Sequence, residues 1–158
     1  MSKKRPARKR AARGRAARKP KRRAAAKAAA KPVPKPSLYE RLGGVYAIAA
    51  VVDDFVDRLM KDPRLNANPK VDEAHHRVPP AGFKYLVTEQ VCWATGGPQK
   101  YTGRPMRDSH AHLEITAAEW AAFLDDFQQT LDLFAVPEAE RVELFEIVES
   151  TRGDIVRA

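Results

Sequence analysis

The side chains best suited to metal chemistry are four histidines, His75, His76, His110 and His112. His110 lies one turn after Met106 and shortly before Leu113, in a segment predicted to form a short helix that begins at Pro105. An imidazole between apolar neighbours is either a hydrogen-bonded core residue or a metal ligand, and the spacing leaves both alternatives open. His112 would point about 200° away from His110 on the same helix, toward solvent or another helix.

Sequence motifs for several other kinds of chemistry are absent. The chain has no Cys-x-x-Cys, no His-Glu-x-x-His and no glycine-rich phosphate loop. Its single cysteine, Cys92, cannot form an internal disulfide, which excludes the secreted disulfide-bonded scaffolds and is typical of a reducing cytoplasm. No apolar run approaches the roughly 20 residues of a membrane-spanning helix. We therefore expect a cytoplasmic protein without a membrane span.

Charge is distributed unevenly along the 158 residues, whose net charge is +9. Residues 1–37 contain sixteen Lys and Arg and no acid, whereas residues 38–158 contain thirteen Lys and Arg and twenty acids. Residues 1–36 are rich in Lys, Arg, Ala and Pro, and cannot bury enough apolar surface to offset about 1–2 kcal/mol of backbone entropy per residue. They are predicted to form a disordered basic tail in front of one domain, residues 37–158.

The tail has two interpretations. Clustered cations release counterions from phosphate, so residues 3–35 are predicted to bind nucleic acid without sequence preference, which would place the protein at the nucleoid. The alternative is an arm that only keeps the chain soluble.

The domain is predicted to be all-α. Apolar residues recur at helical spacing, and Ser37–Glu40 and Thr116–Glu119 form two capping boxes that predict helix starts. Prolines at 79–80, 105 and 137 mark further starts. Residues 64–78, which contain two Asn, Pro69 and the His75-His76 pair, are predicted to be an irregular connection.

Four segments match a known family in order and interval: SLYERLGG (37–44), AIAAVVDDFVDRLMKDPRL (47–65), ATGGPQKYTGRPM (94–106) and SHAHLEIT (109–116). They resemble the truncated haemoglobins, the 2-on-2 variant of the globin fold, and their first group in particular. The resemblance covers residues 37–158. It implies a 2-on-2 helical sandwich that binds haem b and, at its iron, a diatomic gas such as oxygen, nitric oxide or carbon monoxide.

The resemblance also implies the residues of the haem site. His110 matches the proximal histidine that ligates iron. The other expected haem contacts are Phe55, Phe83, Lys84, Val87, Tyr101, Met106 and Arg107, of which Lys84, Tyr101 and Arg107 are candidates for the propionates. His75 or His76 is a candidate sixth iron ligand, and a solvated histidine pair is the alternative.

The distal side departs from the family pattern. Where the family usually carries a tyrosine that holds oxygen, this chain has Val56. With Val56, Leu86 and Val91 in the distal pocket, beside Phe83 and Val87, the predicted lining is apolar. A hydrogen bond to a charged group contributes about 1.5–3 kcal/mol, so its loss predicts oxygen dissociation roughly 10–100-fold faster. Polar residues that could substitute for the tyrosine are Tyr46, Tyr85 and Gln90.

Three functions are consistent with these patterns. The first is a gas-binding haem protein served by an unidentified reductase, with nitric-oxide dioxygenase or peroxidase-like enzyme activity left open by the resemblance. The second is a nucleic-acid-associated protein, anchored by its tail, in which the globin-like domain is a sensor. The third is an adaptor that has kept the helical scaffold and lost haem.

Overall fold

Residues 34–157 are those that the computed structural model describes. The predicted basic tail, except residues 34–36, lies outside the described residues. Within 34–157 the regular structure is helical, apart from one isolated parallel bridge between Ile115 and Val156. No helix in this range is both long and apolar enough to cross a bilayer.

Most of the helices follow one another with short connections, and the longest connection, residues 95–105, precedes Met106. The helical elements are α1 (Leu38–Arg41), α2 (Gly44–Lys61), α3 (Pro63–Asn66), α4 (Pro69–Arg77), α5 (Pro80–Ala94), α6 (Met106–His110), a 3₁₀ turn (Ala111–Leu113), α7 (Ala117–Leu133), α8 (Glu138–Ser150) and α9 (Arg152–Ile155).

Both predicted capping boxes are confirmed. At the start of α1 the Glu40 amide donates to the Ser37 hydroxyl at 3.2 Å, and the Ser37 amide donates to the Glu40 carboxylate at 2.8 Å. Thr116 and Glu119 form the same pair of hydrogen bonds at the start of α7. These contacts satisfy amide groups that a helix start otherwise leaves without partners, so each helix begins at a defined residue.

The prediction that residues 64–78 are irregular is wrong, because this segment folds into α3 and α4. Each helix begins with a proline whose preceding residue is the cap: Asp62 accepts from the Arg64 amide at 2.8 Å, and Asn68 accepts from the Lys70 amide at 3.0 Å. Proline costs nothing in the first helical turn, because the amide it lacks would have no helical partner. Asp-Pro and Asn-Pro are therefore helix starts here.

Helix α2 packs against α5 on one side and against α7 on another, so it separates two apolar clusters. One cluster joins the Phe55 ring to Phe123 and Phe127, with ring centroids 5.3 and 5.2 Å apart. The other surrounds Val56 and Cys92, both fully buried, at the α2–α5 interface. Adjacent residues of α2 thus contribute to different clusters, because successive side chains on a helix are about 100° apart.

Candidate functional site

Helix α6 presents His110 with a defined ring tautomer. The Nδ1 of His110 lies 2.8 Å from the carbonyl oxygen of Met106, one turn earlier, and 3.1 Å from the Ser109 hydroxyl. Since a carbonyl can only accept, Nδ1 carries the proton and donates it to Met106. The lone pair then resides on Nε2, the nitrogen that remains available to a metal.

Burial also favours the form of His110 that can bind iron. Desolvation lowers the pKa of this imidazole below its ordinary value, and the hydrogen bond to Met106 only partly opposes the effect. The ring is therefore neutral at pH 7. A neutral imidazole whose Nδ1–H is held by a backbone carbonyl is the usual state of a metal-ligating histidine.

Two anchors hold α6 in place. On one side, the exposed Arg107 guanidinium donates to the Asp154 carboxylate of α9 at 2.9 Å. On the other side, the preceding loop folds on itself, and the Tyr101 hydroxyl donates to the Arg104 carbonyl at 2.8 Å. The predicted propionate partners Tyr101 and Arg107 thus already have partners within the chain.

The residue that ties this loop to α5 was missed by the sequence reasoning. Glu89 is only 9% exposed, and its carboxylate accepts from the Thr102 amide at 3.0 Å and from the Thr102 hydroxyl at 2.5 Å. These donors lower the pKa of Glu89, so the carboxylate is ionised at neutral pH. One sequence signal could have found it: Glu89 is the only acid of α5.

The α2–α5 interface gathers most of the predicted distal residues. Val56 of α2 is fully buried, and the partly buried Phe83, Val87 and Val91 of α5 pack against its cluster. Leu86 is half-buried on the same helix. The predicted side chains of this face are apolar and supply no hydrogen-bond donor.

Among the polar substitutes weighed for the missing tyrosine, only Gln90 has a buried polar atom without a partner. The side-chain oxygen Oε1 of Gln90 is inaccessible to solvent and accepts no hydrogen bond from the described residues. Tyr46 is 90% exposed and Tyr85 is 60% exposed, so both rings lie largely in solvent.

Two predicted haem contacts have other partners in the structure. Phe55 packs against the aromatic rings of α7, away from the Val56 cluster. The Lys84 ammonium lies between two carboxylates of α2, 2.6 Å from Asp53 and 2.8 Å from Asp57, and both raise its pKa. Lys84 therefore ties α5 to α2.

The two candidate sixth ligands differ in environment. The Nδ1 of His75 lies 2.7 Å from the side-chain oxygen of Asn66, and burial lowers the pKa of this half-buried ring. The Nδ1 of His76 is 2.8 Å from the Asp72 carbonyl, and the His76 side chain is exposed. Both belong to the ordered helix α4 rather than to an irregular connection. Iron ligation by either residue stays a prediction.

The residues present fit a haem. The donor set is one neutral imidazole with a free Nε2, presented by a helix that is anchored on both sides. Apolar side chains of α2 and α5 supply the surface that a porphyrin face requires. Within residues 34–157 no three His, Cys, Asp or Glu side chains are gathered around a metal-sized site.

An all-α fold with one oriented histidine and an apolar helix pair fits a globin, and the comparisons with known proteins agree. The model of the bacterial-like globin family matches residues 37–157, so the chain belongs to this family. The predicted 2-on-2 truncated globin fold is confirmed, and membership implies a haem cofactor.

The relatives include group 1 truncated haemoglobins. That of Synechocystis sp. is 34% identical over 107 residues, which cover 65% of this chain and 81% of the relative. That of Tetrahymena pyriformis is 26% identical over 120 residues, 76% of this chain and 94% of the relative. Among solved structures, the 2/2 haemoglobin of Synechococcus sp. in the cyanomet state, with covalently attached haem, has a TM-score of 0.64 at 26% identity. It covers 77% of this chain and 98% of that chain.

Proposed function

We propose that this globin holds haem b through the Nε2 atom of His110 and reversibly binds a diatomic gas. The observation that carries the proposal is the hydrogen bond from the His110 Nδ1 to the Met106 carbonyl, at 2.8 Å. This bond fixes the tautomer whose Nε2 can ligate iron. When bound, haem supplies an iron atom with a coordination position open to a small gas molecule.

The residues around His110 prepare it for this role. The Met106 carbonyl holds the imidazole plane and makes Nε2 more basic, because it accepts the Nδ1 proton. The Ser109 hydroxyl donates back to the Pro105 carbonyl at 2.9 Å and so closes the first turn of α6. A short helix closed in this way loses little further conformational freedom when its histidine binds a metal.

The distal residues set the discrimination between gases. Val56, Phe83 and Val87 exclude water and offer no hydrogen-bond donor. Oxygen depends on such a donor more than carbon monoxide does, because oxygen draws more negative charge onto itself when it binds. We therefore expect fast oxygen release beside ordinary carbon monoxide binding.

Reconstitution of the full-length apoprotein with haem tests the proposal. We expect one haem per chain, a Soret band in the ferric and ferrous forms, and a carbonyl adduct that forms reversibly. A chain that folds and gives no stoichiometric Soret band would be the haem-free adaptor instead.

The basic tail motivates a second proposal, which concerns location rather than chemistry. We propose that residues 3–35 attach the globin to nucleic acid, because sixteen cations without one acid occupy residues 1–37. Nothing in their composition offers a geometry for base recognition, so attachment would depend on phosphate and on salt. Retention on DNA by the full chain and by a 37–158 fragment, as a function of salt, tests it.

A further inference from the structure

Glu89 links α5 to the loop that precedes α6 through hydrogen bonds to its carboxylate. Two hydrogen bonds converge on a carboxylate that is almost removed from solvent, one from the amide and one from the hydroxyl of Thr102. A buried charge is costly unless it is paired or hydrogen-bonded, and the two donors of Thr102 offset that cost. The contact joins residues that are 13 positions apart in the sequence.

The backbone between Thr102 and His110 is constrained, so a displacement of Thr102 would also displace His110. Gly103 lies against the Tyr101 ring so closely that a Cβ atom there would stand 2.3 Å from the Tyr101 hydroxyl oxygen. That hydroxyl in turn holds the Arg104 carbonyl. Pro105 then fixes the backbone dihedral φ directly before α6.

We propose that Glu89 is a positioning residue for His110. By fixing the 101–104 loop to α5, it sets the separation and tilt of α6 relative to the helix that carries Phe83 and Val87. The inference rests on the proposed ligation of iron by His110. It adds a residue of α5 to the determinants of the iron–histidine bond.

The experiment compares substitutions of Glu89 with a matched control. Glu119 makes the same kind of contact elsewhere, since its carboxylate accepts from the amide and hydroxyl of Thr116, at 2.6 and 2.9 Å. Glu89→Leu and Glu119→Leu therefore each remove one glutamate–threonine clamp. Thr102→Val is a milder change, because it deletes the hydroxyl and keeps the amide, and it serves if Glu89→Leu does not fold.

Two measurements are made on each full-length variant. In the apoprotein, the rate of amide hydrogen exchange measures how often the 101–104 loop opens. We expect exchange at Thr102 to accelerate at least tenfold in Glu89→Leu, because the loss of one hydrogen bond of about 1.4 kcal/mol corresponds to a factor of ten. In the ferrous haem protein, the resonance Raman iron–histidine band reports His110. We expect this band to shift or broaden in Glu89→Leu and, less, in Thr102→Val.

The control separates positioning from stability. Glu119→Leu is expected to lower stability and to leave the iron–histidine band in place. Glu89→Gln should restore the wild-type band in part, because the amide oxygen still accepts from Thr102.

Two results would overturn the inference, and they are distinguishable from failure of the proposed function. Faster exchange at Thr102 with an unchanged iron–histidine band would show that the loop does not position His110. Unchanged exchange would show that Glu89 does not hold the loop. Retention of the wild-type ferric and ferrous spectra by His110→Ala would instead refute ligation by His110, and the inference with it.

Discussion

Replacement of Asp126 by asparagine is predicted to stabilise the protein at neutral pH. Asp126 lies on α7, is only 6% exposed, and its oxygen Oδ2 accepts no hydrogen bond from the described residues. Burial and the nearby carboxylate of Asp62 raise its pKa from 3.8 to about 6. The Arg64 guanidinium contacts both acids but lies closer to Asp62, at 2.8 Å against 3.4 Å for Asp126. Ionisation of Asp126 therefore places a second, poorly paired charge at this site.

The magnitude follows from the pKa difference between the folded and unfolded chains. A rise from 3.8 to about 6 corresponds to about 3 kcal/mol at 1.36 kcal/mol per pKa unit. The pKa of Asp126 is higher in the folded chain than in the unfolded chain, so the protonated carboxyl stabilises the folded state. This contribution is fully present below pH 3.8 and is lost as the pH rises to about 6. Asparagine resembles the protonated acid, and its amide can donate to Asp62. We expect Asp126→Asn to gain up to about 3 kcal/mol at pH 7.5 and almost nothing at pH 4.

Urea unfolding followed by circular dichroism, at pH values between 4 and 7.5, measures this difference. Asp125→Asn is the control, since Asp125 is about half exposed and also pairs with Arg64, at 2.8 Å. It should lose about 0–1 kcal/mol, as surface ion pairs do. If Asp126→Asn is destabilised at pH 7.5, Asp126 is an ionised partner of Arg64 and the reasoning is wrong.

Three further predictions concern the pocket, the loop and the tail. Val56→Tyr should slow oxygen dissociation roughly 10–100-fold, because it restores a hydroxyl at a buried position. Stopped-flow displacement of oxygen by carbon monoxide measures this rate. An unchanged rate with normal haem would show that residue 56 does not face the ligand. Gly103→Ala should lower the free energy of unfolding in urea by about 1–3 kcal/mol, because the new methyl group would collide with Tyr101. Gly82→Ala in α5, where the added Cβ meets no neighbouring group within 4 Å, should raise it by about 0.5–1 kcal/mol. Equal effects would show that the contact with Tyr101 does not matter. If about eight cations of the tail contact phosphate, a plot of the logarithm of DNA affinity against the logarithm of salt concentration should have a slope near −7. The 37–158 fragment should not bind DNA. Equal retention of the full chain and the fragment would show that the tail only keeps the chain soluble.

Local signals in the sequence predicted most of the fold. Ser37 and Thr116 mark true helix starts because a cap depends on residues only three positions apart. Two further helix starts, Asp62-Pro63 and Asn68-Pro69, were not recognised when residues 64–78 were predicted to be irregular. A proline ends the preceding helix, and whether it also begins a new helix depends on the residues that follow it.

The candidate site was predictable mainly through the resemblance to the truncated haemoglobins. The bond from His110 to Met106 spans only four residues, but that spacing left a core residue and a metal ligand as alternatives, and the resemblance implied iron ligation. The partners of Lys84 and Glu89 lie on other elements, and their pairing depends on how α5 packs against α2 and the 101–104 loop. Helical periodicity gives no such pairing, so neither the ion pairs of Lys84 nor the role of Glu89 could be found from the sequence. The propionate contact of Lys84 stays a prediction.

Iron ligation by His110 is tested by comparing His110→Ala with His112→Ala in the full-length protein. His110 is partly buried and oriented by Met106, whereas His112 is exposed two residues further on. Haem titration followed by ferric and ferrous absorption spectra is the measurement. We expect His110→Ala to lose stoichiometric haem binding, or to bind haem much more weakly, while His112→Ala keeps the wild-type spectra. Wild-type spectra in His110→Ala would contradict ligation by His110, because iron would then be held by another residue.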